Sequence, residues 1–305
     1  MSERRPREAA IVSPGARLPY SKGLMARTLM GTGIAPDRAY ELARRIEAEL
    51  AREEDGLGAG EERVHQVASG VLAQHEGDEA VRRLRRLLAL QDADVPLIVL
   101  VGGATGTGKS TITTEVAHRL GITRVTSTDF VRQTMRAFFS EAFMPSIHYS
   151  SFEAGPAASP DDGDARTAQL RGFVDQTRNV LVGVRAVIER ALTENHSMAL
   201  EGVHIVPGLV PRALEGAVVV QCLIVIGDED EHARHFYVRD ADSEGLRPVQ
   251  KYLRALPDIR RIQGYLVERA REEGVSVIEN ADREEAVDAV LRLVLDTSER
   301  VWETS

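Results

Sequence analysis

Apolar residues recur along this chain first at helical spacing and then in short continuous runs, and the change of pattern divides it. Within residues 17–53, Leu24, Leu29 and Met30, then Ala39, Leu42, Ile46 and Leu50, mark two amphipathic helices. GTGIAPD separates them, with glycines to stop the first and Pro36 in the first turn of the second. DGLGAGEE (55–62) reads as a loop, and VHQVASGVLAQH and DEAVRRLRRLLALQ as two further helices. Residues 8–92 are thus expected to form a small, mainly helical domain, with QDADVP (91–96) as a hinge.

Beyond the hinge, LIVLV (97–101) is a continuous apolar run of the kind found in a fully buried parallel strand. A glycine-rich turn and a helical pattern over 109–120 follow. RVTSTD (124–129) reads as a second strand ending at Asp129. HYSSFEAGPAASPDDGD (148–164) reads as a polar, mobile segment, and 166–194 as a long helix with Leu170, Phe173, Val180, Val184 and Ile188 on its apolar side. SMALEG, VVVQCLIVI and VSVIEN are further strands, and a helix over 283–301 closes the chain. Strands alternating with helices predict an α/β parallel sheet over 96–305.

The turn after the first strand, Gly103-Ala104-Thr105-Gly106-Thr107-Gly108-Lys109-Ser110, has the P-loop spacing G-x-x-x-x-G-K-[ST]. Its glycines let backbone N–H groups point at phosphate oxygens, and the helix opening at Lys109 adds its positive dipole end. Lys109 would reach the β- and γ-phosphates, Ser110 would ligate Mg²⁺, and Thr105, Gly106, Thr107, Gly108 and Thr111 complete the nucleotide cradle. Carboxyl ends of parallel strands line the ligand crevice, which singles out Asp129. Arg132 and Arg136 follow on one helix face. A carboxylate beside two guanidinium groups suits a hydroxyl acceptor that also carries anionic charge. Glu201 and Gly202 end the next strand beside the loop, placing Glu201 as a metal-shell or substrate contact, with His204 two residues on. In GDEDEHARHFYVRDADSEGLRPVQKYLR (227–254), Arg234, Arg239, Arg247 and Lys251 could serve a lid that closes on the transferring phosphoryl group, Arg239 acting on the reacting group itself.

Composition narrows the picture. Hydrophobic residues are 43% of 305, enough for a sizeable core. One cysteine, Cys222, excludes a disulfide framework and an all-cysteine metal site. The opening MSERRPREAA has no apolar run behind it, and no stretch approaches the roughly 20 apolar residues that span a bilayer, so the expected location is the cytoplasm. The net charge of −9 is carried mostly by residues 96–305, with 23 basic and 31 acidic groups, which argues against a nucleic-acid partner. Only three of the 38 basic side chains are lysines, Lys22, Lys109 and Lys251, and all three fall in segments singled out by pattern.

LIVLVGGATGTGKST (97–111), STDFVRQTMR (127–136), HYSSFEAG (148–155), FVDQTRNVLVGVRAVIERAL (173–192), MALEGVHIVPG (198–208) and the IRRIQGYL region (259–266) together resemble the 2-phosphoglycerate kinase family of P-loop kinases. The LEGVHIVPG block is far more specific than the P-loop. Residues 8–92 resemble an ATP-cone, a helical nucleotide-binding domain that precedes such kinases. The resemblance implies a nucleotide-kinase-like core with parallel strand order 2-3-1-4-5, ATP and Mg²⁺ as cofactors, and phosphoryl transfer to the 3-hydroxyl of 2-phosphoglycerate, giving 2,3-bisphosphoglycerate. The expected partner is a small phosphorylated hydroxy acid, and a homo-oligomer stays open. Two other readings stay open beside it: a kinase of another hydroxylated acceptor, and a nucleotide-sensing regulator without phosphotransfer.

Overall fold

The computed structural model describes residues 20–52, 60–93, 95–155, 165–242 and 249–303. The chain separates into two compact units, Met1–Arg85 and Arg86–Ser305.

The first unit holds α1 (Lys22–Gly31), α2 (Pro36–Leu50), α3 (Glu61–His75) and most of α4 (Asp78–Asp92). Ser21 caps α1, its hydroxyl accepting from Leu24 N–H, and Pro36 opens α2, where its missing N–H costs nothing. Leu29, Ala39, Leu42, Ala43, Ile46, Leu50, Ala68, Leu72 and Leu84 are fully buried, so the period read from sequence is the period of the core. The Tyr20 hydroxyl donates to Ala43 O at 2.8 Å, and Lys22 pairs with Glu47 at 3.6 Å. The division between the units falls inside α4, ahead of the segment read as a hinge.

The second unit is built on five parallel strands: β1 (Leu97–Gly102), β2 (Arg124–Ser127), β3 (Met198–Gly202), β4 (Val218–Val225) and β5 (Ser276–Glu279). Their order is β2-β3-β1-β4-β5, as the resemblance implies. Central strands are buried on both faces, which is why they read as apolar runs rather than alternations. Val99, Val101, Val220 and Cys222 face a core closed by α5 (Lys109–Leu120) and α10 (Arg283–Glu303). Ile98, Leu100, Leu200 and Val219 face the core under α7 (Ala165–Thr193). A third cluster, with Phe173, Leu223, Phe236, Ile259 and Leu266, joins α7 and β4 to α8 (Glu229–Asp242) and α9 (Val249–Glu273). Burial pushes the Cys222 thiol up to about 12, so it behaves as a core apolar group. Among the described residues, no helix is long and apolar enough to cross a membrane.

Two expectations change. Asp129 does not end β2. The strand stops at Ser127, whose hydroxyl accepts from Phe130 N–H at 3.0 Å, and Asp129 lies in the first turn of α6 (Thr128–Phe138). A serine with a free hydroxyl one residue before a helical run is a strong cap, and it overrides the extended pattern. Residues 148–155 are also not loose. Two 3₁₀ turns, Pro145–His148 and Ser151–Glu153, bury Ile147 and Phe152, and neighbouring helices bond to the segment's carbonyls. Residues 156–164, the rest of that expected mobile stretch, lie outside the described residues, as do most of the 55–62 loop and Arg247.

Candidate active site

β1 runs straight into the phosphate loop, and α5 begins at Lys109, directly after Gly108. The pairing of β1 with β3 sets Val101 opposite Glu201 and Gly102 opposite Gly202, so the acidic end of β3 lies beside the end of β1 that feeds the loop. Ser110 Oγ donates to Glu201 Oε1 at 3.0 Å, and Lys109 Nζ stands 3.9 Å from Glu201 Oε2 and 3.3 Å from Ala104 O. These three candidates therefore form one cluster, with the Glu201 side chain only 11% exposed. Thr107, fully buried, spends its hydroxyl within the loop, on Ala104 O at 3.1 Å. Thr111 is exposed on the first turn of α5.

A hard cation such as Mg²⁺ takes oxygen ligands and commonly combines one carboxylate with substrate phosphates. Ser110 Oγ and the Glu201 carboxylate, adjacent at the mouth of the loop, offer that donor set. No group of three or more His, Cys, Asp or Glu side chains that could hold a metal occurs among the described residues; with this donor set, water and phosphate oxygens would supply the other ligands.

The acceptor candidates sit across α6. The Asp129 side chain is 66% exposed. Desolvation raises its carboxyl, but His204, Arg132 and Lys109 together pull harder, and the net direction is below the usual aspartate range. Asp129 therefore lies within electrostatic reach of both the loop lysine and the first α6 arginine. Arg132 is 8% exposed; its Nη1 donates to Ile147 O and to Tyr149 O, both at 3.0 Å, and its Nε to Asp129 Oδ1 at 3.4 Å. Arg136, one turn on, is half-buried and, among the described residues, reaches its helix neighbour Gln133 at 3.4 Å.

His204 lies beneath the site. It is fully buried, Nε2 meets Gln176 Oε1 at 2.9 Å and Nδ1 meets Thr128 Oγ1 at 2.9 Å. Gln176 Nε2 donates to Ser146 O at 2.6 Å and Tyr149 O at 3.0 Å, which orients the amide oxygen toward the ring. Nε2 therefore carries the proton, and Nδ1 accepts from the threonine hydroxyl. Burial drives the ring down to about 4, against the pull of Asp129, so it is neutral at pH 7. Both nitrogens are used internally, and the ring braces the start of α6. Gly202 makes this approach possible, since a Cβ there would lie 1.9 Å from Thr128 Oγ1 and its φ is +151°.

The lid candidates are dispersed. Arg234 is exposed on α8, and the side chain of Arg239 lies outside the described residues. Lys251, on α9, pairs with Glu153 at 2.9 Å and sits 5.7 Å above the Phe152 ring. What α8 does bring to the loop is a pair of histidines. His232 Nε2 bonds to Thr105 O at 2.8 Å and His235 Nδ1 to Gly106 O at 3.0 Å. Asn280, just after β5, donates to Thr107 O at 3.0 Å. The cation pattern of residues 227–254 gives no hint of His232 and His235. Two histidines at i, i+3, on one helix face after a core strand, were the available signal.

A sheet in this order, with its central strand feeding a P-loop and a carboxylate from the neighbouring strand on the loop serine, defines a P-loop phosphotransferase. No protein-family model matches the chain. It is 38% identical over 281 residues to a 2-phosphoglycerate kinase of Methanothermobacter thermautotrophicus, covering 92% of this chain and 91% of that one. To the enzyme of the same name from Thermococcus kodakarensis it is 39% identical over 277 residues, covering 90% and 92%. The counterpart in Methanopyrus kandleri is 35% identical over 291 residues, covering 94% and 87%. The chain belongs to the 2-phosphoglycerate kinase family, and it is a phosphotransferase with an alcohol group as acceptor.

Proposed function

We propose that this kinase transfers the γ-phosphoryl group of ATP to the hydroxyl of 2-phosphoglycerate, giving 2,3-bisphosphoglycerate and ADP. What supports the reading is the cluster of Lys109, Ser110 and Glu201 at the phosphate loop, with Asp129 paired to Arg132 at 3.4 Å and its carboxyl drawn downward in part by the Lys109 charge. The acceptor hydroxyl oxygen attacks the γ-phosphorus, the bond to the β–γ bridging oxygen breaks, and ADP leaves with that electron pair. The hydroxyl proton passes to Asp129. A carboxylate held below its usual range is a weak base, so Asp129 chiefly orients the hydroxyl and takes the proton late, as a loose transition state allows. Lys109 and the loop amides stabilise charge on the phosphoryl oxygens. Ser110 and Glu201 would hold Mg²⁺, which would supply charge neutralisation at the β- and γ-phosphates. Arg136, and the face of Arg132 turned from the 145–149 segment, grip the acceptor's phosphate and carboxylate. The helical unit is an ATP-cone-like domain, and the second unit is the kinase domain.

Incubation of the pure protein with MgATP and a panel of phosphorylated and unphosphorylated hydroxy acids, followed by product masses, tests this. The expected product is a bisphosphorylated glycerate formed only from 2-phosphoglycerate. Faster turnover of another acid would replace the acceptor, and ATP binding with no product from any acid would leave a nucleotide sensor.

A further inference from the structure

Three consecutive carbonyls of the phosphate loop each meet a side chain from elsewhere in the chain: Thr105 O meets His232, Gly106 O meets His235, and Thr107 O meets Asn280. A carbonyl oxygen only accepts, so both imidazoles present an N–H to the loop. In a trans peptide the C=O of one residue and the N–H of the next lie in one plane and point opposite ways. No cis peptide occurs among the described residues. Holding the carbonyls of Thr105, Gly106 and Thr107 outward therefore aims the N–H groups of Gly106, Thr107 and Gly108 to the other side, where the phosphate belongs.

His232 is the most constrained of the three. It is fully buried and stacks on Phe236 at 5.4 Å; Phe236 stacks on Tyr252 of α9 at 5.2 Å, and Tyr252 meets Phe152 edge-on at 5.8 Å. On the loop side, Gly106 has φ +87°, and a Cβ there would lie 2.4 Å from the Phe236 ring. The loop and α8 are thus fitted to each other with no room to slide. Asn280 holds the opposite flank, with its Nδ2 only 2.3 Å from where a Cβ on Gly108 would stand.

We propose that His232 and Asn280 are positioning residues for the phosphoryl donor, holding the loop amides in their phosphate-binding orientation from α8 and from the end of β5. This rests on reading the loop as the ATP cradle. It makes donor affinity depend on α8 staying docked, although α8 supplies no group to the nucleotide in this role.

The test uses the full-length protein, with ATP titrated calorimetrically in the absence of acceptor and steady-state constants measured alongside. His232→Leu and Asn280→Ala should each weaken ATP binding about tenfold, the effect of one lost hydrogen bond, and shift the acceptor KM by less than about twofold. His232→Gln, whose amide N–H can reach the position of Nε2, should recover most of the loss, and thermal unfolding midpoints report whether each variant is folded. Wild-type ATP affinity in Asn280→Ala and in a folded His232→Leu would overturn the proposal. So would a folded His232→Gln that binds as weakly as His232→Leu, because packing of the ring and not donation would then be the cause. Should His232→Leu fail to fold, His232→Gln retaining ATP affinity while Asn280→Ala loses it supports the latch, and no loss in Asn280→Ala sinks it. A wild-type protein that binds no ATP removes the latch together with the site reading. ATP binding without phosphorylation of 2-phosphoglycerate removes only the acceptor assignment.

Discussion

Lys109 and His204 differ in what they offer the site, one an ammonium at the phosphate loop and the other a buried, neutral ring beneath α6. The Lys109 ammonium lies between Ala104 O and Glu201, where charge on a transferring phosphoryl group would build. Lys109→Ala should slow turnover on the order of a hundredfold or more, since such contacts contribute a few kcal/mol in the transition state. A folded variant turning over at the wild-type rate would take the loop out of the mechanism. His204 gives a pH prediction with a definite sign. Its folded value of about 4 lies below the 6.5 of an unperturbed imidazole, so the unfolded chain binds the extra proton between them. The stability tied to the neutral ring is complete above pH 6.5 and drains away as pH falls toward 4, amounting to roughly 3 kcal/mol in all. Urea unfolding of the wild type and His204→Asn across that interval checks this: the variant should start lower and show the shallower decline, and parallel slopes would refute it.

At the scale of elements, the acceptor side is held together by polar contacts between helices and an irregular segment. Arg132 joins α6 to residues 147–149, Gln176 joins α7 to 146–149, and Gly172 lets α7 approach until a Cβ there would be 2.0 Å from Ala154 O. Arg132→Ala leaves Ile147 O without its side-chain donor, while Tyr149 O keeps Gln176, and a loss of about 1–3 kcal/mol is expected together with a rise in acceptor KM much larger than that in ATP KM. Arg136→Ala removes only an exposed contact, so it should raise acceptor KM while stability stays within about 0.5 kcal/mol. Kinetics on both substrates, with chemical denaturation of each variant, separates the two roles. Equal effects on ATP and acceptor would leave Arg136 as ordinary surface charge and Arg132 as a structural bridge to the 147–149 segment. The period-3.6 pattern of α7 showed that this helix exists. It could not show that the 145–155 segment is ordered, because Ile147 and Phe152 are two isolated apolar residues in a polar stretch and their burial depends on pockets made by other elements.

At the scale of the whole molecule, the division between units gives a prediction about truncation. Leu90 of α4 belongs to the cluster containing Leu97, Val116 and Val290, and Arg86 pairs with Asp296 at 2.9 Å and Glu299 at 2.6 Å. A chain of residues 86–305 keeps these contacts and one of residues 96–305 loses them. The shorter chain should be less stable by about 2–4 kcal/mol, a drop in melting temperature on the order of 5–10 °C. Both should retain kinase activity at low temperature, because the loop, Glu201, Asp129 and α8 all belong to the second unit. Equal melting temperatures would place the working boundary at the QDADVP segment.

The amino-acid sequence alone determined the parts of this protein whose chemistry is local. A phosphate loop is eight consecutive residues after a buried strand, and its glycines, lysine and serine declare themselves by spacing. The helices and strands declare themselves by period, because each must bury one face or both. Asp129, Arg132 and Arg136 were legible for the same reason, lying within eight residues of one another, though whether Asp129 sits on strand or helix turned on the Ser127 cap. What only the tertiary structure decided is every contact between distant residues: Glu201 on Ser110 across 91 residues, His232 on Thr105 across 127, Asn280 on Thr107 across 173, and His204 consumed by Thr128 and Gln176 instead of facing the cleft. These residues meet because β3 and β4 pair on either side of β1 and β5 pairs on β4, so residues at or just beyond the strands' carboxyl ends, and the helices that follow, converge on one loop. Sequence distance carries no record of that pairing, since the physical link is a hydrogen-bonded register between strands and not a period along the chain.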